Sequence, residues 1–561
     1  MLITDDQLKK LVLTVKLVDE KKLDEIVKAA ESSETSLVDM LIEKDVVTDE
    51  NLGILIADYL KIPFTVLSKI SIPDDVFKII PEKIARKYKA IPFERGKDGI
   101  KLAMTDPSNK LIVEMIEKKT SQKVIPFLTT ERDIYNKLWI YKRDLQKTFD
   151  ELVSEQVKSA KTSKSIDVPI AKLVDLIINY SYQDRTSDVH IEPAEKNTLV
   201  RFRVDGILHD VLTLPKDLHD QIVTRIKVLS SLRTDEHQTP QDGKMKIALE
   251  EEDLDIRVSI LPIVYGEKVV LRLLASHFRQ FSLVDLGMTE SDLQKVNNAF
   301  AKSFGMILST GPTGSGKTTS IYSILKIINT REKNITTIED PVEYRMKGVN
   351  QIQTNAKSEL TFASGLRSIL RQDPNVIFVG EIRDSETAGI AVNAALTGHL
   401  VLSTLHTNDA ATALPRLTDM KIEPFLVAST VNVIVAQRLI RKICEMCKGS
   451  VEVTIEQLLQ NLSQDTITKH FGSKKSLRIY KGQGCEVCHL SGYSGRVGIF
   501  EVLEVTPGVK KLITEKKDAS DIVTQAVKDG MITMLDDGMS KVVKGITTIE
   551  EVLRVTKVET I

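Results

Sequence analysis

Gly311-Pro312-Thr313-Gly314-Ser315-Gly316-Lys317-Thr318 is a complete match to G-x-x-x-x-G-K-[ST], and no other stretch limits the fold as tightly. Backbone N–H groups can close around phosphate oxygens only on a glycine-rich turn between a short buried strand and the first turn of a helix. Residues 306–309 supply an apolar strand and residues 320–328 a helical pattern. Further apolar runs at 335–338, 376–379 and 400–404 alternate with helical patterns, which predicts a parallel sheet flanked by helices. Within the loop, Gly311 to Thr318 together with Thr319 are the expected ATP-binding residues. Lys317 offers a point charge to the β- and γ-phosphates, and the Thr318 hydroxyl is placed to ligate Mg²⁺.

A phosphate loop alone does not separate a motor from a kinase or a GTPase, because a carboxylate must also hold the metal or polarise water. Val376-Ile377-Phe378-Val379-Gly380-Glu381 is an apolar strand ending in an acid, with Gly380 at the usual aspartate position and Glu381 as the carboxylate. Glu339-Asp340-Pro341-Val342-Glu343 follows a second apolar strand. Two acid-tipped strands in one such domain favour hydrolysis over solvated strand ends. His399 and His406 bracket the run 400–404, a placement suited to sensing a γ-phosphate.

The four cysteines form two knuckles, Cys444-x₂-Cys447 and Cys485-x₂-Cys488. Four soft thiolates suit tetrahedral Zn²⁺, whereas a redox pair would account for one knuckle only. With every position filled by protein, a structural zinc is expected.

At 561 residues the chain is too long for one core. Its 77 basic and 78 acidic side chains leave a net charge of -1, so total charge gives no support to a nucleic-acid partner. The start, Met1-Leu2-Ile3-Thr4-Asp5-Asp6, turns acidic at once, unlike a secretory signal. The most apolar stretch, 425–440, is broken by Ser429, Thr430, Asn432, Gln437 and Arg438, too short and too polar to span a bilayer. A cytoplasmic chain is expected, peripheral to the membrane through partners.

Residues 1–150 carry helical periodicity, and 7–30 can be laid over 36–59 so that Leu8 meets Leu37, Val12 meets Leu41, Leu23 meets Leu52 and Val27 meets Ile56. The overlay is either a repeat or two unrelated helix pairs. Strand-like runs follow at 90–93 and 100–104. A linker is expected over 151–167, then a helix over 169–182 and strands over 198–204, 207–212, 244–249 and 254–260, with turns at Asp205-Gly206 and Asp242-Gly243.

Several stretches together resemble the signature of the type II/type IV secretion ATPases. They are Arg185-Thr186-Ser187-Asp188-Val189-His190-Ile191-Glu192-Pro193, Arg201-Phe202-Arg203-Val204-Asp205-Gly206, Ile338 to Glu343, Leu370-Arg371-Gln372-Asp373-Pro374, and Leu396-Thr397-Gly398-His399 through His406-Thr407-Asn408-Asp409. The resemblance implies an α/β chain with a RecA-like P-loop ATPase domain over 284–561, including a zinc-binding insertion at 444–488. A PAS-like α+β domain over 168–283 and a mainly helical N-terminal domain over 1–150 would precede it. It implies a homohexameric ring that powers pilus or secretion-pseudopilus assembly through an inner-membrane platform protein (PilC/GspF-like), with a cytoplasmic ring protein (PilM/GspL-like) as a further partner.

By the same resemblance Glu381 is the acid of an atypical Walker B, and Glu343 orients the attacking water. Arg257 and Arg272 approach the γ-phosphate, Arg367 and Arg371 lie near the nucleotide or a subunit junction, and His406 senses the phosphate. The cysteines resemble those of assembly and secretion ATPases, in preference to a retraction motor of the same family or, from another class, a nucleic-acid translocase. The N-terminal region is similar to a domain that in some relatives binds cyclic di-GMP through R-L-G-x₂-L-x₃-G repeats. Here Gln7, Lys9 and Lys16 replace the arginine and glycines of one copy, and Ser36, Val38 and Asp45 those of the other. Cyclic di-GMP binding is therefore expected to be lost.

Overall fold

The computed structural model describes residues 3–15, 17–33, 36–43, 46–70, 72–138, 150, 170–249, 252–275, 282–472, 476–485 and 488–556; the linker expected over 151–167 lies outside them. They divide into two compact units, one formed by Ile3–Leu55 with Phe281–Ile561 and the other by Ile56–Gln280.

In the first unit, helices Asp5–Thr14, Glu20–Ser33, Leu37–Glu43 and Asp49–Leu60 open the chain, the last running on into the second unit. A capping box starts the first: the Thr4 hydroxyl accepts from Gln7 N while the Gln7 side chain accepts from Thr4 N. Three overlaid pairs, Leu8/Leu37, Val12/Leu41 and Leu23/Leu52, are buried at both positions. The fourth, Val27/Ile56, is half-buried.

The second unit holds two sheets with separate cores. Strands β1 (Ala90–Gly96) and β2 (Gly99–Met104) form a hairpin. The helix Lys110–Thr120 then returns the chain so that β3 (Val124–Leu128) lies parallel to β2. β3 escaped the sequence reading because it is five residues long and carries Pro126, which weakens any strand pattern.

The larger sheet comprises β4 (Asp188–Pro193), β5 (Asn197–Val204), β6 (Ile207–Pro215), β7 (Gln241–Ala248), β8 (Asp253–Ile263) and β9 (Gly266–Leu274), in the order β6-β5-β4-β9-β8-β7 and antiparallel throughout. Helices Ile170–Gln183 and His219–Leu229 contribute Leu173, Ile177, Ile222 and Ile226 to its core. Asp205-Gly206 turns between β5 and β6 as expected, with Asp205 and Gly206 both at positive φ. Asp242-Gly243 does not turn: both residues sit inside β7, paired with Ser259 and Val258.

The first unit's main sheet is built from β10 (Gly305–Thr310), β11 (Ile335–Glu339), β12 (Val349–Gln353), β13 (Val376–Val379), β14 (Leu400–Leu405), β15 (Val431–Ile443) and β18 (Tyr493–Glu504). Their order is β12-β11-β13-β14-β10-β15-β18; only β18 is antiparallel to its neighbour. Every residue of β10, β11, β13 and β14 is buried, which explains why their polar members are confined to Ser, Thr and the hydrogen-bonded Glu339 among apolar residues. The period-2 alternation then divides the side chains between faces. Ile377 and Val379 join one core with Met306 and Leu308, while Val376 and Phe378 join the other with Ile307 and Leu402. A two-stranded ribbon, β16 (Lys448–Thr454) with β17 (Ser476–Gly482), stands beside the cysteines.

Candidate active site

Parallel strands place all their C-terminal ends on one edge, and the loops that follow β10, β11, β13 and β14 meet there. After Thr310 the chain turns through Gly311 to Gly316, and the helix Lys317–Ile328 begins at once. Gly316 caps that helix at φ 91°, a left-handed conformation that only glycine adopts freely. Lys317, 9% exposed, folds back into the loop and donates from Nζ to Gly311 O (2.7 Å) and Pro312 O (3.1 Å). Burial pushes its pKa down, opposed by the charge of Glu381. The Ser315 hydroxyl is buried in the loop with no partner among the described residues. Thr318 and Thr319 open the helix half-buried.

Glu381 lies two residues past the end of β13. Its carboxylate pairs with Arg383 and receives His406 Nε2 at 3.3 Å. The side chain is 13% exposed, against 48% for His406, so the acid is largely covered while the imidazole reaches toward solvent. Thr404 Oγ1 donates to Gly380 O at 2.7 Å and Ser403 Oγ to Val379 O at 2.8 Å, tying the strand end that carries Glu381 to β14. The two histidines part company. His406 lies at the phosphate-loop edge, whereas His399 precedes β14 at the opposite edge, its Nδ1 3.0 Å from Ala394 O. Six strand residues separate them, roughly 20 Å at 3.3 Å per residue.

The acidic cluster that begins at the end of β11 divides in the same way. Glu339 is 2% exposed and accepts from the Tyr322 hydroxyl, from Thr337 Oγ1 (2.6 Å) and from Gln351 Nε2 (3.2 Å). Burial raises its pKa against those three donors. It is a structural carboxyl that braces the helix after the phosphate loop. Glu343 is half-buried, and its backbone hydrogen-bonds Tyr322.

Of the arginines, Arg367 pairs with Glu386, and Arg371 donates to Arg367 O (3.0 Å) and Ser368 Oγ (3.2 Å). In the second unit Arg257 and Arg272 are directly paired residues of β8 and β9, and Arg272 Nε donates to Asp188 at 2.8 Å. Three further residues at the site carry no functional expectation from the sequence. Arg383 pairs with Glu381, and Gln437 and Arg438 on β15 reach the phosphate loop and the loop after His406. The two β15 residues could have been found, since polar side chains inside a buried strand need partners.

The four cysteine sulfurs all lie within 4.8 Å of one another. Cys444–Cys485, Cys447–Cys488 and Cys485–Cys488 are separated by 3.8, 3.9 and 3.7 Å. A tetrahedron with metal–sulfur bonds of about 2.3 Å has edges of about 3.8 Å, so the set fits a zinc-sized ion. Gly484 N donates to Cys447 Sγ, and Cys485 N and Gly492 N donate to Cys488 Sγ, each at 3.2 Å. Such donors stabilise thiolates. For Cys444, burial pushes the thiol pKa up.

The phosphate loop at the end of β10, with the half-buried acid Glu381 just past the end of β13 on the same edge of the sheet, defines a P-loop nucleoside-triphosphatase. The sequence model of the family described as Type II/IV secretion system protein matches residues 163–554, and that of the MshEN domain matches 60–138, beyond both copies of the degenerate repeat. The Type IV pilus assembly ATPase PilB of Myxococcus xanthus is 36% identical over 562 residues, covering 98% of each chain. The Type II secretion system protein E of Dickeya dadantii is 45% identical over 393 residues, covering 70% of this chain and 77% of its own. The solved ATPase DotB of Legionella pneumophila shares the fold, with a TM-score of 0.50 at 20% identity over 68% of this chain and 95% of its own. The chain belongs to the type II/IV secretion ATPase family. It is an ATPase, and its relatives serve pilus assembly and secretion. Among the described residues no helix is long and apolar enough to cross a membrane.

Proposed function

We propose that the chain hydrolyses ATP in a cytoplasmic homohexamer and drives type IV pilus assembly through an inner-membrane platform protein of the PilC/GspF kind. The observation that carries this reading is the likeness to a pilus assembly ATPase along 98% of both chains, where likeness to the type II secretion protein covers 70% of this one. The higher identity over that shorter region, 45%, supports pseudopilus assembly in type II secretion as the second reading. The ring protein of the PilM/GspL kind joins the same assembly, and neither nucleic acid nor cyclic di-GMP is a ligand.

In this reading Gly311 to Thr319 cradle the triphosphate, Lys317 takes the β/γ-phosphate charge, and Thr318 with Glu381 holds Mg²⁺, which neutralises charge on the phosphates. Glu343 orients water and His406 reports the γ-phosphate to Glu381. Arg257 and Arg272 supply guanidinium charge for the transition state, and Arg367 and Arg371 act at the nucleotide or a subunit junction. Cys444, Cys447, Cys485 and Cys488 hold a structural Zn²⁺. In this reading the motor spans 284–561, preceded by domains over 1–150 and 168–283.

Lys317→Ala is expected to abolish turnover, and Glu381→Ala to bind ATP without hydrolysing it. A soluble fragment of the platform protein should stimulate hydrolysis where nucleic acid does not. Normal turnover by Glu381→Ala would remove the Walker B assignment, and stimulation by nucleic acid alone would turn the reading toward a translocase.

A further inference from the structure

Strand β10 lies between β14 and β15, with Thr310 paired to Leu405 on one side and to Ala436 on the other. The next residue on each strand therefore stands at one level. Gly311 opens the phosphate loop, His406 opens the loop after β14, and Gln437 continues β15 past both.

Gln437 is 2% exposed. Its Nε2 donates to Ser315 O in the phosphate loop (2.8 Å), and its Oε1 accepts from Ser320 Oγ in the following helix (2.7 Å). Its carbonyl oxygen would be 2.7 Å from a Cβ on Gly311, and its Nε2 2.9 Å from one on Gly316, so the loop's glycines pack directly on this residue. Arg438, next along the strand and so directed to the other face, donates from Nη2 to Asn408 O (2.8 Å) and Asn408 Oδ1 (3.4 Å). Its charge faces Asp409 and Glu501, and Glu501 Oε1 in turn accepts from Ala410 N at 3.0 Å. One dipeptide thus grips the phosphate loop with its first side chain and the His406–Asp409 loop with its second.

We propose that Gln437 and Arg438 are paired positioning residues: Gln437 sets the phosphate loop for nucleotide binding, and Arg438 sets the His406 loop for turnover. The proposal rests on the reading of Lys317 and His406 as nucleotide-facing. Neither residue has to touch the nucleotide, because each acts through the loop it holds.

The test is steady-state ATP hydrolysis by the full chain across ATP concentration, with thermal melts in parallel. Gln437→Leu keeps the volume and removes both side-chain bonds; it should raise KM about tenfold with kcat within about threefold. Arg438→Met keeps the aliphatic stem; it should lower kcat about tenfold with KM within about threefold. Ser320→Ala deletes one donor to Gln437 and should raise KM about threefold, which keeps the question open to measurement if Gln437→Leu does not fold. Arg438→Lys serves the same purpose for its neighbour, with a fall in kcat expected. Equal movement of KM and kcat in both sets, as general loosening would give, overturns the proposal, and so does wild-type behaviour. Lys317→Ala is run alongside. If it still hydrolyses ATP, the assignment of the site fails; if it is dead while the Gln437 and Ser320 variants are kinetically normal, only the positioning proposal fails.

Discussion

Restoring the aspartate that the strand end lacks should damage this protein. Gly380 N donates to Ile338 O at 2.8 Å, so the two backbones run in close contact just beyond β13. A Cβ on Gly380 would meet Ile338 O at 3.2 Å and Glu339 Cα at 3.3 Å. Neither neighbour can yield cheaply, because both are backbone atoms and Glu339 is fixed by Tyr322, Thr337 and Gln351. Overpacking of this kind costs about 2 kcal/mol. At roughly 2–4 °C per kcal/mol for a domain near this size, Gly380→Ala should melt about 4–8 °C lower. Gly380→Asp should lose at least as much, since it adds a carboxylate between Glu339 and Glu381, and its kcat should fall as Glu381 moves. Differential scanning calorimetry of the two variants, with hydrolysis rates from the same preparations, measures both effects. An alanine variant as stable as the parent would show that space is not what excludes a side chain. An aspartate variant with raised kcat would refute the reasoning outright.

Cys444→Ser should lose bound zinc, measured by metal analysis of purified protein, and should melt earlier; retention of stoichiometric zinc would remove the four-thiolate assignment. Glu551 is buried, which alone would raise its pKa, yet hydrogen bonds from Arg441 and Arg554 hold it at about 2, against its ordinary 4.5. A depressed carboxylate stabilises above its unfolded pKa, so this contribution is intact above pH 4.5 and is lost as the pH falls toward 2. Urea midpoints between pH 5 and pH 3 should fall more steeply for the parent than for Glu551→Gln. At neutral pH that variant, which removes the carboxylate charge facing Arg441 and Arg554, should be about 3 kcal/mol less stable.

The main sheet was legible because burial on both faces writes strands as short runs dominated by apolar residues, and the phosphate loop marks a strand end. The centre of the antiparallel sheet was harder. β4 does alternate polar and apolar residues, but its polar positions Asp188, His190 and Glu192 read as motif chemistry, and in β9 the runs Val269-Val270-Leu271 and Leu273-Leu274 break the alternation. Asp242-Gly243 misled for the opposite reason: a turn-forming pair was overridden by eight residues of ladder with β8. At the site, the residues that touch phosphate in any such loop were readable from spacing. Glu339 and Glu343 looked alike in sequence, and only burial parts them. Gln437 was read as an interruption of an apolar run, because its partners Ser315 and Ser320 lie more than a hundred positions away.

The length of β15 has a consequence for what changes this chain can absorb. The strand carries Gln437 beside the phosphate loop and delivers Cys444 to the sulfur cluster, a span of about 20 Å at strand rise. Exchanging one side chain for another along that span leaves its ends where they were. Removing or adding a single residue reverses which face every later side chain takes. Either Gln437 would leave Ser315 or Cys444 would leave its three companions. Substitution scanning and single-residue deletion across 438–443 should therefore give opposite pictures of the same strand, forgiving in the first and prohibitive in the second.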